Sequence, residues 1–546
     1  MAQNKLQKLE LTWIGKDNER ENIEPRILIE DPKYSYGDTE SGNMLIHGDN
    51  LLALKALEQE YSGKVKCIYI DPPYNTGSAF EHYDDNLEHS IWLSLMKQRL
   101  EILRNLLSDI GIIWITLDDN EVHYCKVLCD EIFGRINFLG NVIWQHSIQG
   151  KNDAKTFSLT HNHLLVYSKT QNYIRYKVPR ESKHNINYSN PDNDPKGLWR
   201  SGDVRSPNLR ENLKYQIETP SGGVIDPPEK GWRWSKKLVE EKIKSGEIIF
   251  SKDETRIIRK IYLSNQDGRV PDTLWFGEDC GTTREANTEL KNLDLGALFD
   301  TPKPERLIER VINLSTQPGD IVLDSFLGSG TTAAVAQKMG RRYIGVELGD
   351  HAYTLCYPRL KKVIDGTDQG GISKAQNWKG GSGFKFYELA PSLLKEDPFG
   401  NLVINKEYNA DMLAAAMAKQ EGYTYQPDAA LYWKQGQSSE HDYIYTTTQF
   451  LTVESLDAIK ETMQEGESLL ICCTAFQKEC ATHTPNITVK KIPQMLLGRC
   501  EFNKDNYNLN IIDMPQLDID DDPEVIDLPE NIDTENNKTK NPTLFD

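Results

Sequence analysis

No run of apolar residues in this chain approaches the roughly 20 needed to cross a bilayer as a helix, so no membrane span is expected. Residues 1–16, MAQNKLQKLELTWIGK, hold no apolar core of the kind a secretion signal carries, so none is expected there. The 9 cysteines are scattered without paired metal-ligand spacing. Cys125 and Cys129 fall one helical turn apart, but no second pair accompanies them. Buried reduced thiols, no metal centre and a cytoplasmic location are the resulting expectations. Internal repeats are also missing. What remains is a chain of 546 residues, 38% hydrophobic and 27% charged, the composition of a soluble globular protein with more than one domain.

The formal net charge of -19 argues against nucleic acid, since phosphates call for Lys and Arg. The charge is uneven, however. Residues 145–265 carry 22 Lys and Arg against 14 Asp and Glu, whereas 516–546 carry 2 against 10. The middle could face phosphates while the tail stays away. On charge alone, a solvated surface is the simpler reading.

Strands are expected at 44–49, 65–70 and 110–116, separated by helices at 50–60, with Asn50 as N-cap, and 90–108. Buried apolar runs alternating with helices predict a parallel α/β sheet. The texture changes near 146, where Pro, Asn, Gly, Trp and basic residues become dense. It returns at 302–347 with helix 303–314, strand 320–324, a glycine loop, helix 331–339 and strand 342–347. The expected organisation is an arm over 1–40 and a sheet domain over 41–145 and 300–363, split by an insert over 146–299. A linker over 364–383, a smaller α/β domain over 384–515 and a disordered acidic tail over 516–546 complete it.

The sharpest local signal is Asp71-Pro72-Pro73-Tyr74 after the apolar run VKCIYI. Ligands of open α/β sheets bind at the carboxyl ends of the strands. An exocyclic amine on a base is a poor nucleophile because its lone pair is delocalised into the ring. A carboxylate and a carbonyl accepting from its two N–H groups would localise that lone pair. Asp71 can supply the first and Pro72 the second, held in place by the fixed φ of proline. Tyr74 can stack on a base taken out of a helix. The bland alternative is a strand followed by a proline turn.

The second signal, Asp324-Ser325-Phe326-Leu327-Gly328-Ser329-Gly330-Thr331-Thr332, follows the strand IVLD and opens a helix. Glycines allow close approach to a ligand, and a helix N-terminus can receive an anion. Glu347, at the end of the next strand, can accept from ribose hydroxyls. No Lys follows the glycines, which argues against a P-loop, and the three-glycine dinucleotide spacing is missing. The alternative is a packing turn. Asp49 could meet a cofactor adenine, or could simply be a turn aspartate. His161 and His163 have no carboxylate partner in the nearby sequence and read as structural histidines.

Together, HGDNLLALKAL, IYIDPPYNTG, FDTPKPERLIERVI, DSFLGSGTT and GVE resemble the β group of DNA amino-methyltransferases, and within it the modification subunits of Type III restriction-modification systems. The resemblance covers 40–150 and 280–350 well and 380–470 weakly. It implies a circularly permuted Rossmann-like methyltransferase sheet with an inserted target-recognition region. It also implies S-adenosylmethionine as cofactor and N6 of a flipped adenine in double-stranded DNA as target. Asp71, Pro72, Pro73 and Tyr74 would then form the target-amine site. Asp324, Phe326, Gly328, Gly330 and Thr331 would form the cofactor loop, with Glu347 at the ribose and Asp49 at the adenine. Thr301 and Lys303 would lie near the methionine end.

Asp at 71 favours adenine over the alternative, N4 of cytosine or an RNA substrate. The absence of any Pro-Cys dipeptide argues against C5-cytosine chemistry. In the insert, Trp199, Arg200, Arg205, Arg233, Lys236 and Lys237 are candidate DNA contacts, although Trp232 and Trp234 read better as core. The resemblance further implies a homodimer and a separate restriction or helicase subunit, to which this chain could serve as the DNA-reading part. Residues 541–546, NPTLFD, are similar to short peptides that bind sliding clamps, against the blander reading of a mere chain end.

Overall fold

The computed structural model describes residues 10–16, 22–73, 85–150, 156–174, 176–178, 180, 182–266, 268–295, 299, 301–504 and 507, with backbone only at 85–88 and 183. The buried apolar runs become the parallel centre of one sheet. Its first part comprises β1 Met44–His47, α1 Asn50–Tyr61, β2 Val65–Ile70, α2 Asp85–Leu106, β3 Leu107–Leu117, β4 Phe138–Gln145 and β5 His161–Ser168. Its second part comprises α3 Glu305–Asn313, β6 Ile321–Asp324, α4 Thr331–Lys338, β7 Arg342–Glu347, α5 Tyr357–Ile364 and β8 Gly383–Leu389. The order across the sheet is β8-β1-β7-β6-β2-β3-β5-β4. β8 through β3 run parallel, and β5 lies antiparallel between β3 and β4.

Successive residues on a strand point to opposite faces, and the cores obey that rule. Tyr69 of β2, Val322 of β6 and Tyr343 of β7 pack on one face with α3, α4 and α5. Ile68, Leu323 and Ile344 pack on the other with α1 and α2. Both faces are covered, so these strands read as continuous apolar runs rather than as alternation. The neighbours β6 and β2 therefore send their chains to opposite faces, β6 into α4 and β2 into α2. That reversal opens a crevice at their carboxyl ends.

The structure departs from the sequence reading in four places. Asp49, not Asn50, caps α1, its Oδ1 accepting from the Leu51 and Leu52 N–H groups at 2.9 and 3.1 Å. Within the stretch expected as insert, β5 and Leu274–Trp275 rejoin the main sheet. Their neighbours β3 and β4 are distant in sequence, so only pairing reveals them. The stretch 364–383 looks like a linker by its Gly, Ser and Lys content, yet Asp368 is ion-paired to buried Lys338 at 2.7 Å and Ile372 is in the core. Finally β8, expected to open the smaller domain, completes the main sheet beside β1.

Two further sheets stand apart from the main one. Trp199–Gly202, Ile248–Phe250 and Ile257–Tyr262 form a small sheet near a core that contains Trp232. Towards the C-terminus, a five-stranded sheet centred on Asp442–Leu451 and Ser468–Phe476 packs with helices Ala410–Gln420 and Val453–Thr462. Among the described residues, no helix is long and apolar enough to cross a membrane.

Beneath α4 lies a buried ionic cluster. Lys338 meets both carboxylate oxygens of Glu305 at 2.8 and 2.7 Å, and Arg359 donates to Glu305 at 2.9 Å. Removing one member of a buried set strands the others without compensation. Lys338→Ala should therefore lose about 3 kcal/mol or more of unfolding free energy. Lys395→Ala, which breaks the exposed Lys395–Glu407 pair, should lose less than about 1 kcal/mol. Denaturant melts of both variants check the contrast.

Candidate active site

A cavity of about 280 Å³ occupies the crevice. Asp71, Pro72 and Pro73 from the end of β2 form one wall, and the segment Phe326–Ser329 after β6 forms the opposite one. Thr301 and Lys303 precede α3, Thr331 begins α4, and Glu347 ends β7; all of these line the same space with Asp324. Residues 230 or more apart in sequence thus share one pocket because their strands are neighbours.

The Lys303 ammonium is ion-paired with the Asp71 carboxylate. Pro72 is buried, and the Pro73 carbonyl accepts from the Trp92 indole N–H at 2.9 Å, which ties the turn to α2. Tyr74 lies outside the described residues.

The opposite wall is held from several sides. Asp324, 3% exposed, accepts from the Phe326 N–H at 2.9 Å and from the Thr332 hydroxyl at 2.6 Å. Burial pushes its carboxyl up to about 7, and the nearby negative charges of Asp71 and Glu347 add to this. Glu347 accepts from the Gly328 N–H at 2.7 Å and the Gly349 N–H at 3.1 Å, while burial raises its pKa as well. Gly328 and Gly330 have φ of +56° and +78°, a backbone region that glycine enters without strain. A Cβ on Gly328 would also come within 2.8 Å of the Phe299 ring. Gly330 does not face the cavity; it caps α4 and so aims Thr331.

Behind the loop, the Asn50 side chain donates to the Ser325 carbonyl at 2.9 Å. Arg359 donates to the Ser329 carbonyl at 3.1 Å and the Thr331 hydroxyl at 2.8 Å. Asp49 is not on the cavity wall. It is 2% exposed, caps α1, and lies 3.7 Å from Arg99 of α2. The structure thus makes it a brace behind the site.

The insert's candidates divide. Trp199 is buried, and its indole N–H donates to Asp192 at 2.8 Å, so it serves the core of the small sheet. Trp232 is buried too, as expected. Arg200, Arg205, Arg233, Lys236 and Lys237 are exposed, with Arg205 paired to Asp203 at 3.0 Å. Phe299, Trp92 and Arg359 escaped the sequence reading, each serving a partner distant in the chain. Arg359 in an otherwise apolar helical stripe was the one available hint.

The Asp324 carboxyl yields a pH prediction. An unfolded aspartate ionises near about 3.9, whereas the folded one holds its proton to about 7. The folded state therefore binds more protons between these values, and this group's contribution to stability falls as pH rises through that window. Asp324→Asn keeps an acceptor for Phe326 and cannot ionise. Its melting temperature, minus that of the parent, should rise from pH 4 to pH 7. Calorimetry across that range checks it, and a flat difference would refute the perturbed carboxyl.

Residues 65–357 match the DNA methylase family of N6/N4 methyltransferases. The chain is 35% identical over 412 residues to the probable Type III restriction-modification enzyme HindVI Mod subunit of Haemophilus influenzae, covering 65% of this chain and 54% of that protein. It is 30% identical over 384 residues to the StyLTI Mod subunit of Salmonella typhimurium, covering 64% and 58%. The chain thus spans little more than half the length of these two relatives. Against the Type II methyltransferase M.KpnI of Klebsiella pneumoniae it is 32% identical over 335 residues, covering 55% of this chain and 77% of that enzyme. With the family matched over more than half of its residues, the chain belongs to the DNA methylases.

Proposed function

We propose that this chain transfers a methyl group from S-adenosylmethionine to N6 of an adenine turned out of double-stranded DNA. One observation carries the reading: the Asp71-Pro72-Pro73 turn faces the Asp324–Thr332 loop across one cavity at the strand reversal.

The cavity suits that cofactor. Three carboxylates, Asp71, Asp324 and Glu347, line it against the single ammonium of Lys303, a balance that favours a cationic ligand. A carboxylate offers about four acceptor sites, and Glu347 and Asp324 each use two on the protein in the bonds described above. Glu347 would hold the ribose hydroxyls. Phe326, Gly328 and Gly330 would shape the loop around the molecule, with Asp324, Thr301, Lys303 and Thr331 towards its amino-acid end. Bound there, S-adenosylmethionine supplies an electrophilic methyl group on a sulfonium.

The chain's own part is to prepare the amine. Asp71 accepts one N–H and the Pro72 carbonyl the other, which draws the lone pair out of the ring. Lys303 orients the Asp71 carboxylate, and Trp92 fixes the turn through Pro73. Tyr74 would stack on the extruded base. Exposed Arg200, Arg205, Arg233, Lys236 and Lys237 would meet phosphates, which fix register without reading sequence. Two relatives named as Mod subunits support a place in a restriction-modification system, with a separate restriction or helicase subunit as partner. We further propose a homodimer, and clamp docking through residues 541–546.

The test is expression in a host free of adenine methylation, followed by single-molecule sequencing that detects modified bases. N6-methyladenine at one short motif is the expected product, and N4-methylcytosine there would replace the adenine assignment. Asp71→Ala should cut the methylation rate by about 10²–10⁴-fold while the protein stays folded. Full methylation by that variant would sink the mechanism.

A further inference from the structure

The sequence offers His161 and His163 no carboxylate, but the fold does. The two histidines are two apart on β5 and so share one face. β5 runs antiparallel to β3, with His163 opposite Leu117. Asp119, two residues past Leu117, therefore arrives at the same edge of the sheet as both imidazoles. Its Oδ1 lies 2.8 Å from His163 Nε2 and 4.0 Å from His161 Nε2. One donor atom from each of the three residues falls within 4.8 Å of the others.

We propose that Asp119, His161 and His163 bind one divalent transition-metal ion, zinc by ligand preference, beside the catalytic turn. Two imidazoles with one carboxylate suit zinc, whereas magnesium and calcium prefer oxygen ligands throughout. Three protein ligands leave a fourth position open to water or a phosphate oxygen. A ligating histidine needs a partner for its second nitrogen, which fixes tautomer and ring orientation. His163 has one: its Nδ1 lies 3.3 Å from the Asn141 carboxamide oxygen. A plain ion pair would use His163 alone. It leaves unexplained why a second imidazole, 5.2 Å away between ring centres, converges on the same carboxylate oxygen. Bonds of about 2.0–2.2 Å to zinc require the donors to close in slightly. His161 and Asp119, with side chains 36% and 43% exposed, have room to swing.

The site also has a mechanical connection to the catalytic turn. Two residues beyond Asp119, buried Glu121 meets His89 of α2 at 2.5 Å. Trp92 of the same helix holds the Pro73 carbonyl. An ion at Asp119 would brace the loop against which this helix is set.

The test uses the full chain without an affinity tag, stripped with a chelator and titrated with zinc against a chromophoric competitor. One equivalent should bind. His161→Ala and Asp119→Asn should each weaken binding roughly tenfold or more, the scale seen when even supporting groups of a metal site are lost. Both variants should match the parent in circular dichroism and melting temperature in the presence of chelator. Cobalt(II) in place of zinc should give visible bands without thiolate charge transfer. No zinc retained by the parent, equal affinity in both variants, or a cobalt–thiolate spectrum would each overturn the proposal.

Discussion

Two parallel strands that pair side by side, with Leu323 of β6 beside Ile68 of β2, must part where their helices begin, because α4 covers one face of the sheet and α2 the other. No helix can roof the gap between them. The crevice is thus a consequence of covering a parallel sheet on both sides, and it exposes the carboxyl ends of the two central strands. Each wall of the cavity is the first turn of chain beyond one of these strands. The distance between the Asp71 turn and the glycine loop is therefore set by strand spacing, which the hydrogen bonds of the sheet hold nearly constant.

A site of this kind needs a loop that does not give when a ligand arrives, and much of the buried polarity goes to that end. Asp324 bridges the start of its own loop and the first turn of α4. Asn50 holds the loop from one side of the sheet and Arg359 from the other. Arg359 is itself fixed by Glu305, which Lys338 neutralises. Buried groups of this sort are costly unless every member is satisfied. Here the polar interior specifies a loop conformation rather than adding net stability.

The same geometry resolves the apparent conflict between an acidic chain and a nucleic-acid substrate. Net charge governs behaviour at distances beyond a Debye length, about 8 Å at physiological salt, whereas phosphate contacts are local. The exposed Arg and Lys of the small inserted sheet supply local positive charge. The cavity supplies local negative charge, suited to a cationic methyl donor. Opposite charges can serve two ligands because low-dielectric protein separates them.

The sequence by itself determined the parallel α/β class, the Asp71-Pro72-Pro73 turn, the glycine loop and Glu347, because each is written in contiguous residues. Strand, turn and helix signals act over a few positions, and the chemistry of those motifs needs no distant partner to be recognised. Tertiary structure alone decided the rest. Asp49 became a cap and brace, Trp199 a core residue, and 364–383 a packed strap. β5 returned to the sheet from inside the expected insert and brought two histidines to Asp119. Lys303 reached Asp71 across 232 residues. In each case the deciding partner lies far along the chain, and side-chain periodicity carries no information about which distant strand will become a neighbour.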